Sequence, residues 1–343
     1  MLTKAELARL ATLRARFLDG SNAGGGYWRS EEDLSLYDAT LGERIGWKWD
    51  TVLAELRARG WQPRAKHVID WGCGSGIAGR RVLGEWPGFE SVTVADVSPL
   101  AMRFAEERAR DAFPGVRTRM SLQEFPKAEA LLLVSHVLNE LDAAAHTRLM
   151  ALARQAAAVI WVESGTHADS RALIAVREEL RAEFRIVAPC THEARCGMLT
   201  EQNARHWCHH FARVPAEASR DARWAQFGRE LGIDMRALPC SFLVLDRRDE
   251  SARLDEGCSR IIGRPREEKA RMEILSCQAG GIEELMLQKR DEPALFKQLQ
   301  KGRADALYRW QRDGRRIVAA EPLCDDDRTR GGTGDLPHDD GTG

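Results

Sequence analysis

"VIDWGCGSGIAG", residues 68–79, decides the fold. It opens as a buried strand, sets Asp70 at the strand's end, and follows it with Gly72, Gly74 and Gly76. Glycine lets the backbone turn tightly and approach a ligand without a Cβ clash. The helix that begins behind the last of these glycines offers unpaired N–H groups toward the turn. Asp96 ends the next apolar run, 20 residues after Gly76, where an acid can accept both hydroxyls of a ribose.

The same rhythm continues outward from this loop. "HVIDWG", "SVTVAD", "GVRTRM", "ALLLVSHVLNEL", "AAVIWVES", "FRIVAPC" and "CSFLVLDRR" read as seven strands. Helices such as "SPLAMRFAEERARDA", with Ser98 as N-cap, and "DSRALIAVREELRAE" lie between them. Short apolar runs alternating with helices predict an α/β fold with a doubly wound, seven-stranded, mainly parallel sheet. The expected organisation starts with an N-terminal helical region over 1–60, interrupted by the Gly-rich "SNAGGGYWRS". The sheet domain covers 61–247, with a cysteine-rich insertion at about 189–236. A basic C-terminal unit over 248–322 contains the strand-like "RMEILSC" and "EELMLQKR" and the helix-like "PALFKQLQKG". The acidic tail over 323–343 has almost nothing apolar and reads as disordered.

Composition narrows the function classes. The 343 residues are 43% hydrophobic and 30% charged, a soluble globular balance, and the net charge of −1 excludes a global polycation. Charge is uneven, however: residues 251–316 carry 15 Lys/Arg against 11 Asp/Glu, and the tail carries 2 Arg against 6 Asp. The first helix lacks the apolar core of a secretory signal, and no stretch approaches the roughly 18 apolar residues of a membrane span. The expectation is a cytoplasmic chain in which eight cysteines serve metal binding or catalysis rather than disulfides.

Two cofactors compete for the glycine loop. Gly74, Gly76 and Gly79 satisfy G-x-G-x-x-G, the dinucleotide fingerprint. Asp70 with the D-x-G-x-G-x-G spacing instead resembles motif I of class I S-adenosylmethionine (SAM) methyltransferases, and the seven-strand reading is similar to that family's sheet. A carboxylate here suits a sulfonium and an amino group better than a pyrophosphate. The SAM reading is preferred, with Asp70, Gly72, Gly74, Gly76 and Asp96 as its binding set; a dinucleotide or a ligand-free turn stays open. At the end of the fourth strand, "SHVLNEL" offers His136 as a candidate general base, against a blander reading in which Ser135 and His136 line the pocket floor. Cys73, between two glycines, reads as packing.

"PCTHEARCGMLTEQNARHWCHH", residues 189–210, gathers Cys190, Cys196 and Cys208 with four histidines. The C-x5-C-x11-C spacing matches neither a zinc knuckle nor a ferredoxin run. A free cysteine ordinarily behaves as a small buried hydrophobe, which suits Cys240 and Cys258 but not three thiols in a polar loop. The density points to a metal site, zinc ahead of iron.

Taken in order, "DWGCGSG", "SHVLNEL", "APCTHEARCGM", "HWCHHFARV", "CSFLVLDRR" and "SCQAGGIEELMLQKRD" resemble one family over about residues 61–312. It is the methyltransferase-like assembly factors of the mitochondrial small ribosomal subunit and their bacterial relatives. The resemblance implies a SAM-type domain, a four-cysteine [4Fe–4S] cluster and binding to small-subunit rRNA during assembly. Carried over residue by residue, the family's cysteines fall on Cys190, Cys196, Cys208 and Cys277, a set that also suits zinc. His192, His206, His209 and His210 then become supporting or RNA-facing groups, or plain surface. The cations Arg260, Arg264, Arg266, Lys269, Arg271, Lys289, Arg290, Arg309, Arg315 and Arg316 become candidate phosphate contacts. Two alternatives stand beside the assembly factor: an active SAM-dependent rRNA methyltransferase, and a small-molecule methyltransferase with a structural zinc.

Overall fold

The computed structural model describes residues 1–19, 28–125, 129–248, 254 and 257–323. The Gly-rich break and the acidic tail therefore lie mostly or wholly outside the described residues. Helices α1 (Lys4–Asp19) and α2 (Glu31–Tyr37) come first; α2 runs through one π-helical turn into α3 (Glu43–Ala58). The alternating part follows: β1 (His67–Trp71), α4 (Ile77–Glu85), β2 (Ser91–Ala95), α5 (Pro99–Ala112), β3 (Arg117–Met120), β4 (Ala130–Ser135), α6 (Ala143–Ala153), β5 (Ala158–Ser164), α7 (His167–Leu180) and β6 (Arg185–Ala188). The cysteine loop leads to a short β7 (His210–Phe211), then α8 (Ala216–Arg220), α9 (Ala222–Leu231) and β8 (Pro239–Asp246).

The sheet order is β3-β2-β1-β4-β5-β8-β6, and β7 adds an eighth strand beside β8. The pairs along β3-β2-β1-β4-β5 are parallel, whereas β8 runs antiparallel to both β5 and β6. The central strands are near-continuous apolar runs because helices cover both faces. Side chains alternate between two cores. Val68, Leu131, Leu133 and Ile160 face α3, α4 and α5, while Ile69, Leu132, Val134 and Val159 face α6 and α7. Helix α3 belongs to this arrangement: Trp49, Val52, Leu53 and Leu56 pack into the first core. The sheet domain thus has α3 as an integral layer, although α3 lies before residue 61.

The C-terminal unit is a closed five-stranded barrel. Its elements are β9 (Cys258–Glu268), β10 (Arg271–Gln278), β11 (Gly281–Gln288), α10 (Pro293–Gln300), β12 (Leu307–Asp313) and β13 (Arg316–Pro322). The closed order is β10-β11-β13-β12-β9, with β11 and β13 the parallel pair. Numbered within the barrel this is 1-2-3-5-4-1 with a helix between the third and fourth strands, the OB-type Greek key. Ile274, Leu285, Leu287 and Ile317 fill the barrel, and Leu295 and Phe296 of α10 plug it.

Candidate functional site

The glycine loop is built for close approach. Gly72, Gly74 and Gly76 have φ of 68°, 50° and 74°, a region other residues enter only with strain. A Cβ on Gly72 would stand 2.6 Å from Val137 Cγ1, so the loop passes directly against the exit of β4. Asp96 accepts from the N–H of Gly74 at 3.0 Å and of Ser98 at 2.8 Å, which fixes its carboxylate beside the loop. Asp70 is 1% exposed and accepts from Gly79 N–H at 3.0 Å through Oδ2. Its Oδ1 is buried with no hydrogen-bond partner among the described residues. Burial pushes the Asp70 carboxyl up to about 7, against the lowering effect of the Gly79 N–H. An orphaned, desolvated carboxylate oxygen is a site for a cationic group.

His136 sits across the loop, held at φ 55°. Its Nε2 is 2.8 Å from Nζ of buried Lys48, and its Nδ1 is 3.3 Å from Ser135 Oγ, which also accepts from Trp49 Nε1 at 3.0 Å. Burial, then the Lys48 charge, holds His136 well below the ordinary histidine range, so the ring is neutral. Both ring nitrogens are therefore within hydrogen-bond reach of a polar partner, Nε2 of Lys48 and Nδ1 of Ser135. His136 is thus part of a buried polar network with Lys48, Ser135 and Trp49. Glu163 belongs to the same region, accepting from the N–H groups of Val137 and Leu138 and from Trp161 Nε1. Burial raises its carboxyl to about 7. Neither Lys48 nor Glu163 was expected from sequence; for Lys48 the only signal was its place between Trp47 and Trp49.

The four cysteines come together from both units. Cys190 follows β6, Cys196 starts the turn at Gly197–Leu199, Cys208 precedes β7, and Cys277 lies on β10 opposite Ile282 and Arg260. Cys196 and Cys277 share an apolar cluster with Ile174, Met198 and Ile262, and Cys208 borders it. Gly197 carries the loop flat against β11, where a Cβ would meet Ile282 N at 3.0 Å. Burial raises the Cys208 thiol well above its ordinary range, and the neighbouring Cys190, Cys277 and Cys196 raise it further. Burial and Cys190 push Cys196 up to about 11. Two histidines touch the set: His192 Nε2 lies 3.6 Å from Cys277 Sγ, and His210 Nε2 3.7 Å from Cys208 Sγ. His209 instead stacks on Trp207, and His206 faces Glu284. Cys73, Cys240 and Cys258 are buried elsewhere.

Three guanidiniums surround these thiols, all at most 3% exposed along the side chain or residue except Arg260's side chain at 4%. Arg177 Nε is 3.3 Å from Cys190 Sγ, and its Nη2 donates to the carbonyls of His192 and Ala194. Arg59 donates to the carbonyls of Val187, Pro189 and Cys190. Arg260, expected to touch RNA, is instead buried between the units, bonded to Glu55, Pro189 O and His210. Among the described residues, Glu55 and Glu178 are the carboxylates that ion-pair with this trio. Buried cations in excess of carboxylates call for a further anionic group, which thiolates would provide. Among the described residues, no three His, Cys, Asp or Glu side chains lie close enough to hold a single metal ion.

The sheet order, the antiparallel β8 and the glycine loop at β1 define a class I methyltransferase-like protein. Magnesium protoporphyrin IX methyltransferase of Synechocystis, solved with SAM, is 14% identical, with 72% of this chain and 99% of that one covered at a TM-score of 0.39. The plantazolicin methyltransferase is 12% identical, with 70% and 99% covered and a TM-score of 0.41. A riboflavin-analogue dimethyltransferase of Streptomyces davawensis is 17% identical, with 52% and 65% covered and a TM-score of 0.36. No curated protein matches the chain. Within the class, the chain belongs to the family described as mitochondrial small ribosomal subunit Rsm22, whose model matches residues 49–309. That span includes the C-terminal part of α3 from Trp49, the cysteine loop and most of the barrel.

Proposed function

We propose that this protein is a cytoplasmic assembly factor of the small ribosomal subunit that binds its rRNA, holds SAM in the glycine loop and carries a [4Fe–4S] cluster on Cys190, Cys196, Cys208 and Cys277. Membership of a small-subunit family supports the partner. The unpartnered Asp70 Oδ1 and the loop beside Asp96 fit a cofactor with a cationic end and a ribose. The observation that carries the reading is the convergence of four thiols from two units beneath three buried guanidiniums. Thiolate ligands would neutralise that positive excess. When bound, the cluster supplies iron–thiolate bonds that join the cysteine loop to the barrel. The residues of the chain do the rest: Arg177 and Arg260 face the sulfurs, while Ile174, Met198 and Ile262 exclude water.

The engaged nitrogens of His136 favour a binding platform over an rRNA methyltransferase. Sedimentation from cells tests the reading: the protein should travel with immature small subunits in low salt and leave them in high salt. Migration only as free protein in both would contradict it.

A further inference from the structure

The ten candidate phosphate contacts of the C-terminal segment, out of its 15 Lys/Arg, are not equivalent. Arg260 is buried on Glu55, Arg266 pairs with Glu273, Arg271 with Glu268, Arg309 with Glu321, Arg315 with Glu284 and Arg316 with Asp291. Arg264 lies over the Phe211 ring at 4.2 Å. Lys269, Lys289 and Arg290 form no salt bridge and no side-chain hydrogen bond with any described residue. Lys297, Lys301 and Arg303 likewise have no such partner among the described residues, but Lys269, Lys289 and Arg290 meet at one place. They line an open groove of about 1170 Å³ with Ala270, Arg271, Met286, Gln288, Pro293 and one carboxylate, Glu268, which is itself paired with Arg266 and Arg271.

The groove's position is that of a ligand face. In OB-type barrels the second and third strands and the loop between the first two carry the bound oligomer. Here those parts are β10, β11 and the β9–β10 turn at Lys269. The outward residues of β10 and β11 pair as Arg271–Gln288, Glu273–Met286, Leu275–Glu284 and Cys277–Ile282. The cysteine loop covers the Cys277 end of this face: Gly197 lies on Ile282, and Arg205 reaches Glu284. The Arg271–Gln288 end stays open, and the unpaired cations surround it.

We infer that this groove binds a single-stranded RNA segment through its phosphates, with Lys269, Lys289 and Arg290 as the contacts; the inference rests on the proposal that the protein's partner is RNA. A strip of unpaired cations above a floor of Met286 and Ala270 complements an extended polyanion. Its volume exceeds the ~300–1,000 Å³ of ordinary small-molecule pockets. No aromatic side chain lines it, so it has no platform for stacked bases. Recognition is therefore led by phosphate and tolerant of sequence.

The test uses the full-length protein and a labelled single-stranded RNA oligonucleotide titrated across a range of KCl concentrations. Lys289→Ala/Arg290→Ala should weaken binding roughly tenfold and make the log–log salt slope shallower by about 1.4, at about 0.7 per lost phosphate contact. Arg110→Ala/Arg117→Ala, exposed on the sheet domain, should leave both unchanged. Wild-type-like binding by the Lys289/Arg290 variant overturns the groove assignment and leaves the proposed function standing. Equal competition by duplex RNA or by polyglutamate overturns the single-strand assignment. Failure of the wild type to bind either the oligonucleotide or immature subunits removes the RNA reading itself.

Discussion

Arg260 on the first barrel strand and Glu55 on the sheet domain's helix α3 form a two-pronged salt bridge, Nη1–Oε1 at 2.6 Å and Nη2–Oε2 at 2.8 Å. Glu55 also takes Arg59 at 2.7 Å, so one carboxylate holds two guanidiniums where the units meet beside the cysteines.

This carboxylate should be a point of failure. Burial alone would raise its pKa, but Arg260 and then Arg59 overcome that and pull it down to about 2. Its stabilising contribution is present above the unfolded value near 4.3 and is lost as pH falls through about 2. Glu55→Gln leaves two buried guanidiniums without a countercharge and should cost about 3–5 kcal/mol at neutral pH. Urea denaturation checks this; a loss below about 1 kcal/mol would show that the pair is solvated rather than buried.

Asp70 and Glu163 should give the opposite pH dependence. Both are raised to about 7 by burial, above their unfolded values near 4. The native state then holds more protons than the unfolded state between about pH 4 and about 7, so stability falls as pH rises through that window. Asp70→Asn should flatten part of this fall, about 4 kcal/mol at most, while weakening SAM binding at least about tenfold. Thermal melts without ligand at acidic and neutral pH, with SAM calorimetry alongside, measure both. An unchanged melt profile would mean that Asp70 is ionised in the folded protein.

Methyl transfer should be absent. Both ring nitrogens of His136 are already engaged, Nε2 with Lys48 and Nδ1 with Ser135. Radiolabelled SAM should bind and yet leave no label above background on immature small subunits, for the wild type and His136→Ala alike. Stoichiometric labelling by the wild type would return the protein to the rRNA methyltransferases.

Cys277→Ser should loosen the barrel. It removes the one cysteine of the four that the barrel supplies, so the site would lose its metal and the thermal midpoint would fall by several degrees. An unchanged iron content in this variant would place the fourth ligand elsewhere.

The sheet was legible because its strands are buried on two faces: "ALLLVS" and "AVIWVES" have no polar interruption before their last residues. The glycine loop was legible because its conformation admits few other residues. The barrel was not, since β12 "LYRWQRD" and β13 "RIVAAEP" mix inward apolar with outward charged residues too briefly to give a clear period. Three of the site's cysteines announced themselves by density, whereas Cys277 was reached through family resemblance alone. Arg59, Arg177 and Arg260 look like surface cations in sequence; only folding shows that carbonyls and two carboxylates receive them. Lys48 was hidden for the same reason.

The central claim is that Cys190, Cys196, Cys208 and Cys277 hold one [4Fe–4S] cluster between the two units. Anaerobic purification of the full-length protein followed by iron, sulfide and zinc analysis tests it most directly. The account predicts about four iron and about four sulfide per chain with negligible zinc. Stoichiometric zinc without sulfide, or a metal-free protein of full thermal stability, would contradict it.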